Sequence, residues 1–357
     1  MLRVTACISG GVDSAVAALL LQREGHDVSG LLLRVLPEAA CCDAWDETMR
    51  AAEAVCAALG IPLEVLDIAP EFEQAVIGPF AAKYAAGLTP NPCVICNPAV
   101  KWGVALDHAR ASGANYLATG HYARIEPGDG HVRLLRGTDR RKDQSYMLCR
   151  LTQRQLISTM LPLGSFTKQQ VRRIAREAGL PVADKSESQD ICFIPDGDHG
   201  RFLQSRVGFT PGPIIDLAGE PLGEHRGLIH YTVGQRKGLG IAAGEPLFVL
   251  RKDAIANALI VGPRDNALSE EFSMGEINWV SIPALELGET VPGRVEVRYR
   301  TAPVDAELTV TSEGARVLLS APAVCAPGQA AVLYERDTLL CGGTIMPPTQ
   351  EAATMET

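Results

Sequence analysis

What the sequence lacks removes several classes of function. No apolar run reaches the ~18 residues a bilayer span requires. The first residues enter a strand-like stretch rather than a leader, so neither a membrane segment nor a secretory signal is expected and the cytoplasm is the default location. Positive charge is in short supply: 33 Lys and Arg against 42 Asp and Glu give a net charge of −9, which argues against a generic nucleic-acid binder. No Gly-Lys-Ser/Thr follows the glycine turn near the N-terminus, so that turn is not a Walker loop. One C-x-x-C is present without a second, which leaves a four-cysteine zinc site incomplete. No internal repeat is visible. The remainder is an ordinary globular balance, 46% hydrophobic and 21% charged over 357 residues, long enough for two or three domains.

The most informative stretch is Ser9-Gly10-Gly11-Val12-Asp13-Ser14. It follows the apolar run Val4–Ile8 and precedes a helical pattern in Val12, Val16, Leu19 and Leu20 that stops at Gly25. Strand, glycine turn and helix make a phosphate cradle, because Gly10 and Gly11 let backbone N–H groups turn inward. Ser9 and Ser14 add hydroxyl donors, and the helix N-terminus favours an anion. Asp13 beside phosphate implies an intervening Mg2+. The loop is similar to the pyrophosphatase (PP) loop of enzymes that split ATP into AMP and pyrophosphate; the plain alternative is a tight βα turn.

Strand-like runs at 3–8, 27–33, 62–67 and 115–119 alternate with helical patterns at 12–24, 45–59, 71–86 and 98–111, which predicts a parallel α/β sheet with ATP at the carboxyl ends of its strands. Leu33, last of Leu31-Leu32-Leu33, is a candidate wall for adenine, or simply core. Residues 144–180 read as helix. From about 200 the texture turns to Gly, Pro and short β stretches, and from about 272 to the alternation of an antiparallel β-barrel. The tail after Met346 reads as disordered.

Four basic clusters stand out on this acidic chain: Arg133, Arg136, Arg140, Arg141 and Lys142; Lys168, Arg172, Arg173 and Arg176; Arg226, His230, Arg236 and Lys237; and Arg294, Arg298 and Arg300. Each alone is most simply a solvated face, but together they predict a focused polyanion site.

Of the ten cysteines, Cys7, Cys56, Cys149, Cys325 and Cys341 have apolar neighbours and read as small core residues, while Cys41-Cys42 is a weaker candidate for reactivity. Cys93 and Cys96 follow the stiff Thr89-Pro90-Asn91-Pro92 stretch and are presented near a helix N-terminus. That pair alone is a redox couple, half a zinc site, or two of three cluster ligands. Cys192 lies in a polar context, Lys185 to Asp190, which favours a loop over a core strand.

These motifs, with Ala118-Thr119-Gly120-His121-Tyr122, Lys142-Asp143-Gln144-Ser145-Tyr146, Ile191-Cys192-Phe193-Ile194, Gly223-Glu224-His225, Gly234-Gln235-Arg236-Lys237-Gly238-Leu239-Gly240, Arg298-Tyr299-Arg300 and Pro327-Gly328-Gln329, resemble the tRNA-specific 2-thiouridylase (MnmA/TrmU) family over about 3–346. The resemblance implies an α/β protein. Its expected parts are a PP-loop (adenine nucleotide alpha hydrolase-like) domain at 1–199, a small central tRNA-contacting domain at 200–271, and a C-terminal antiparallel β-barrel at 272–346. It further implies ATP-dependent 2-thiolation of the wobble uridine of tRNA. Cys7, Ile8, Ser9, Gly10, Gly11, Val12, Asp13, Ser14, Leu33 and Gly120 would bind ATP. Asn91, Pro92, Cys93, His121, Lys142, Asp143, Gln144, Arg298, Tyr299 and Gln329 would meet the tRNA. Cys192 would carry a persulfide, and Cys96 would attack or resolve it.

One departure stands out: the family carries an aspartate three residues before its first catalytic cysteine, and here that residue is Cys93. Either the carboxylate is dispensable, or Cys93, Cys96 and Cys192 hold a [4Fe–4S] cluster whose fourth iron delivers sulfide. The sulfur donor is correspondingly a persulfide-carrying sulfurtransferase or cysteine desulfurase, or sulfide itself. Two rival functions remain: a PP-loop ligase of a small metabolite, needing neither Cys96 nor Cys192, and a non-catalytic tRNA-binding or iron–sulfur carrier, indifferent to Asp13.

Overall fold

The computed structural model describes residues 1–37, 42–186, 191–194, 197–242 and 244–348, without the side chains of Cys42 and Asp43. The expectations for Cys41-Cys42 reactivity, for a polar loop through Glu187, Ser188, Gln189 and Asp190, and for the tail beyond 348 lie outside them.

Five parallel strands open the chain: β1 (Arg3–Cys7), β2 (Asp27–Arg34), β3 (Leu63–Asp67), β4 (Tyr116–Ala118) and, after the antiparallel hairpin β5 (Ala123–Pro127) and β6 (Val132–Arg136), β7 (Thr159–Met160). Their order is β3-β2-β1-β4-β7. The chain therefore leaves β1 towards opposite sides, first through β2 and later through β4, and opens a crevice at the carboxyl end of β1. Helix Val12–Arg23 covers one face, with Ala15, Val16, Ala17, Ala18 and Leu21 buried against Val4, Ala6 and Ile8. Gly30 of β2 admits helix Cys42–Leu59 so closely that a Cβ there would stand 2.8 Å from the Cys56 sulfur.

Residues 144–180, read as helix, are helical only in part: Val171, Ile174 and Ala175 do form the buried face of a helix ending before Gly179, but the rest is not helix. They form the short turns Ser145–Leu148 and Gln153–Leu156, then β7, then helix Lys168–Glu177. The Thr152 and Thr167 capping boxes start new helices, and Pro162 and Gly164 separate them. Of the cysteines expected in the core, Cys56, Cys149 and Cys341 are buried, while Cys7 and Cys325 are only partly so.

A second sheet, in the order β10-β11-β8-β9, comprises β8 (Gly212–Ile215), β9 (Pro221–His225), β10 (Phe248–Asp253) and β11 (Ala258–Gly262). The third runs β12-β15-β14-β13-β16-β17, from β12 (Ser269–Trp279), β13 (Thr290–Glu296), β14 (Val304–Thr311), β15 (Gly314–Ala323), β16 (Ala330–Glu335) and β17 (Thr338–Ile345). Pairing of β12 with β17 closes it into a six-stranded antiparallel barrel. The hairpin β5–β6 joins this sheet through Thr338 opposite Leu135, so the first unit donates two strands to the last. Among the described residues, no helix is long and apolar enough to cross a membrane.

Where β6 meets the barrel, Arg136 is largely enclosed, its side chain 12% exposed. Its Nη1 donates to Asp143 at 3.0 Å and to Glu296 at 2.6 Å, and the guanidinium lies 3.5 Å from the centre of the Tyr334 ring. Asp143 also accepts from the Gly137 and Ser145 backbone N–H groups. We expect Arg136→Met to cost about 3–5 kcal/mol in urea denaturation, because two buried carboxylates lose their counter-charge. Arg133→Met, which loses only an exposed pair with Glu126, should stay within about 0.5 kcal/mol.

Candidate functional site

The loop after β1 is braced by its own side chains. The Ser9 N–H donates to Ser14 Oγ (3.1 Å), the two hydroxyls lie 3.2 Å apart, and Ser14 Oγ donates to the Gly11 carbonyl (3.0 Å). Gly10 sits at φ +68°, where a Cβ would meet the Thr48 carbonyl at 2.9 Å, so both conformation and space demand glycine. Gly120, after β4, comes close from the other side: a Cβ there would lie 2.8 Å from the Asp13 backbone.

Asp13 does not stand open. Lys168 Nζ reaches both its oxygens at 2.7 Å, and the Tyr122 hydroxyl donates to Oδ1 at 2.7 Å. Lys168 is itself buried, in the first turn of helix Lys168–Glu177. Neither partner was identified from the sequence as belonging to the loop; 155 residues separate Lys168 from Asp13, and no local pattern spans that distance.

The cysteines occupy a continuous helix over 92–111. Asn91 caps it, accepting from the Cys93 N–H at 3.1 Å, and Pro92 fills the first position, where no N–H is needed. Asn97 Nδ2 donates to the Met147 carbonyl at 2.8 Å, tying this helix to the Lys142–Tyr146 motif. Burial holds the Cys96 thiol up, at about 11; Lys101 pulls it down while Cys93 and Cys7 push it further up. Burial likewise raises Cys93, and Cys7 to about 11, both against Lys101. Cys192 is exposed, yet its crowded surroundings, then Cys96 and Cys93, push its thiol up from the ordinary range. Its neighbour Phe193 is an anchor, edge-on to Phe72 and Phe80 at 5.7 and 5.5 Å. Cys93, Cys96 and Cys192 thus come within electrostatic reach of one another, beside Cys7 at the foot of the phosphate loop.

Other expected contacts lie deeper. His121 is buried, its Nδ1 2.7 Å from Thr119 Oγ1 and its ring beside Trp102, whose buried Nε1 has no partner among the described residues. Asp143 belongs to the buried Arg136 network. Gln144 Oε1 accepts from the Tyr122 N–H, and Gln329 is buried in a turn whose Pro327 carbonyl accepts from the Thr89 N–H. Leu33, half-buried, packs towards the cluster containing Phe193. Tyr299 donates to the Asp143 carbonyl at 3.2 Å, leaving Arg298 exposed beside it.

The basic clusters divide in the same way. In the first, Arg136 and Arg140 are engaged with acids of this chain, as is Arg133 more loosely. In the second, Lys168, Arg173 and Arg176 are ion-paired and Arg172 is bonded to carbonyls. Arg236, Lys237 and Arg298 have no ion pair among the described residues.

Family models match the chain throughout: a tRNA methyl transferase HUP domain at 2–196, a tRNA methyl transferase PRC-barrel domain at 200–263 and an aminomethyltransferase beta-barrel domain at 269–345. The tRNA-specific 2-thiouridylase MnmA of Chloroflexus aggregans is 45% identical, covering 98% of this chain and 99% of its own. That of Heliobacterium modesticaldum is 42% identical over 96% and 92%. A U34-tRNA thiolase from Methanococcus maripaludis, solved with its [4Fe-4S] cluster, matches 58% of this chain and 67% of its own at 17% identity and a TM-score of 0.33, too remote to bear on the chemistry.

Burial pushes the His121 pKa well below 6.5, so the folded protein keeps this imidazole neutral while the unfolded chain takes up a proton. Stability should therefore fall below pH 6.5, by about 1.4 kcal/mol per pH unit from this group. In urea titrations between pH 7 and 5, His121→Asn should show a shallower loss than the parent; equal slopes would contradict the assignment.

Proposed function

The chain belongs to the family of tRNA-specific 2-thiouridylases, and from that premise we propose how this tRNA-uridine sulfurtransferase works. The observation that carries the reading is convergence: a phosphate-shaped loop and three reduced cysteines meet near the carboxyl end of β1. ATP sets its phosphates on Ser9–Ser14, with adenine towards Leu33 and Gly120. The wobble uridine leaves the anticodon stack, as a base must to reach a buried catalyst. Its 2-oxygen attacks the α-phosphorus, the bond to the β-phosphate oxygen breaks, and pyrophosphate departs. A poor leaving group has become AMP. Asp13 suits Mg2+ only if it exchanges Lys168 for the metal, and Lys168 is then placed to take a phosphate oxygen. Exposed Arg298, with Arg236 and Lys237, meets tRNA phosphates, and the capped turn at Asn91–Cys93 lies beside the target base.

For the sulfur step we assign Cys93, Cys96 and Cys192 as the working set. Among the described residues, no three His, Cys, Asp or Glu close round a single metal ion. A [4Fe–4S] cubane takes each ligand on a different iron, so three neighbouring but separate thiols fit it in chemistry, and Cys93 then has a role. When bound, such a cluster supplies one iron free of protein ligands and able to hold sulfide. The exposure of Cys192 favours a second reading, in which a donor protein leaves a persulfide on that residue. Its outer sulfur attacks C2 and AMP leaves. Cys96 then attacks the Cys192 sulfur, the S–S bond breaks with its electron pair on the sulfur now at C2, and the Cys96–Cys192 disulfide left behind is reduced by an external thiol.

Asp13→Ala should lower 2-thiouridine formation at least about 100-fold while leaving tRNA affinity nearly unchanged; parallel loss of binding would contradict its role. Cys192→Ser should still release pyrophosphate when tRNA is added but make no 2-thiouridine. Pyrophosphate release without tRNA would instead indicate a small-molecule ligase. Iron and acid-labile sulfide on protein purified without oxygen, lost in Cys93→Ala, would identify the cluster; iron-free protein that thiolates would assign the persulfide.

A further inference from the structure

The loop that leads into the cysteine helix starts where helix Gly78–Ala85 ends. Gly87 reverses the chain at φ +77°, and the Gly87 and Leu88 N–H groups close on the Tyr84 and Lys83 carbonyls at 3.0 and 2.9 Å. Only Thr89 and Pro90 then separate Leu88 from the Asn91 cap, and Pro92 follows it. Proline fixes φ on both sides of the cap, so the stretch is stiff. Where Leu88 and Thr89 sit therefore decides where the helix of Cys93 and Cys96 begins.

A side chain from another sheet grips this turn. Lys252 Nζ, on β10, donates to the Leu88 carbonyl at 3.1 Å and lies 3.5 Å from Thr89 Oγ1. Its ammonium stands 5.6 Å from the centre of the Tyr84 ring, and the side chain is half-buried. Gly87 completes the contact, since a Cβ there would sit 3.6 Å from those of Lys252 and Ala254. The same strand holds a basic loop at its other end. The Gly234 N–H donates to the Val249 carbonyl at 2.8 Å, and the Val249 N–H donates to the Gln235 carbonyl at 2.9 Å. Arg236 and Lys237 follow directly and line an open groove with Glu245, Phe248 and Arg264. Val249 is fully buried and β10 pairs with β11 from Phe248 to Asp253, with one irregularity at Leu250. One strand thus carries the groove and, about 10 Å along, the grip on the cysteine loop.

We propose that Lys252 is a positioning residue for sulfur transfer: it holds the Leu88–Thr89 turn and so ties the placement of Cys93 and Cys96 to the strand that presents Arg236 and Lys237. This rests on the thiolation reading above, which puts the working cysteines on that helix, and adds the residue through which the central sheet sets them. Lys252 touches no reacting atom and moves no proton. Its removal leaves the tRNA-facing groove intact and lets the start of the cysteine helix drift, so the loss falls on turnover and not on docking.

The test uses the full chain, purified without oxygen, and tRNA with an unmodified wobble uridine. Lys252→Met keeps most of the stem and removes the donor. Its kcat for 2-thiouridine should fall roughly 10- to 100-fold, with KM for tRNA within about twofold of the parent. Amide hydrogen exchange over 88–97 should quicken about 10-fold, while helix Val12–Arg23 exchanges as in the parent. Lys252→Arg, which keeps a cationic donor, should recover most of both effects. Arg251→Met, an exposed neighbour on the same strand, should change neither. Unchanged kcat, a loss expressed only as a higher KM, no recovery in Lys252→Arg, or faster exchange in both helices would each overturn the assignment. If Cys96→Ser thiolates like the parent, it is the reading of the cysteine helix that fails, whatever Lys252 does to exchange.

Discussion

Arg136 is the charge on which the arrangement of the site depends, because it is largely enclosed where the β5–β6 hairpin of the first unit joins the barrel. Its partners come from separate parts of the chain: Asp143 from the loop after β6, Glu296 from the end of β13, Tyr334 from β16. A lone guanidinium there would be strongly unfavourable, and so would the two carboxylates without it. The three are stable only together, which sets the barrel in one position against the first unit. That position brings the 298–300 turn against the Lys142–Tyr146 segment, where Tyr299 donates to the Asp143 carbonyl and its ring lies beside that of Tyr146.

The cysteine loop is braced from several directions by the same logic. The Pro327 carbonyl takes the Thr89 N–H at 2.9 Å, and Gly328 approaches so closely that a Cβ would lie 2.8 Å from that of Leu88. Lys252 of β10 donates to the Leu88 carbonyl at 3.1 Å. The barrel and the central sheet thus both contribute to holding the loop before Cys93 and Cys96. The site belongs to the assembled chain rather than to its first domain.

Much of this was legible in the sequence, and what was not has definite reasons. The phosphate loop was readable because strand, glycine pair and helix follow one another within some twenty residues. The parallel strands β1 to β4 around it were readable from local periodicity, and the barrel from alternation. β7 was missed, since two residues paired to a neighbouring strand leave no periodic trace. The hairpin β5–β6 escaped because its partner, β17, lies two hundred residues away. The basic clusters were visible as composition, but charge alone does not reveal that Arg136 and Lys168 serve acids within the chain while Arg298 stays exposed.

The hairpin's attachment to the barrel bears on how such a protein is inherited and rearranged. A coding sequence cut after residue 199 would yield a first unit whose β6 had lost its neighbour, exposing unpaired backbone along a strand edge. The barrel, in turn, would surrender Glu296 and Tyr334 to solvent without Arg136. Each half, once separated, would have to cover a strand edge and an uncompensated charge that the joined chain covers for it.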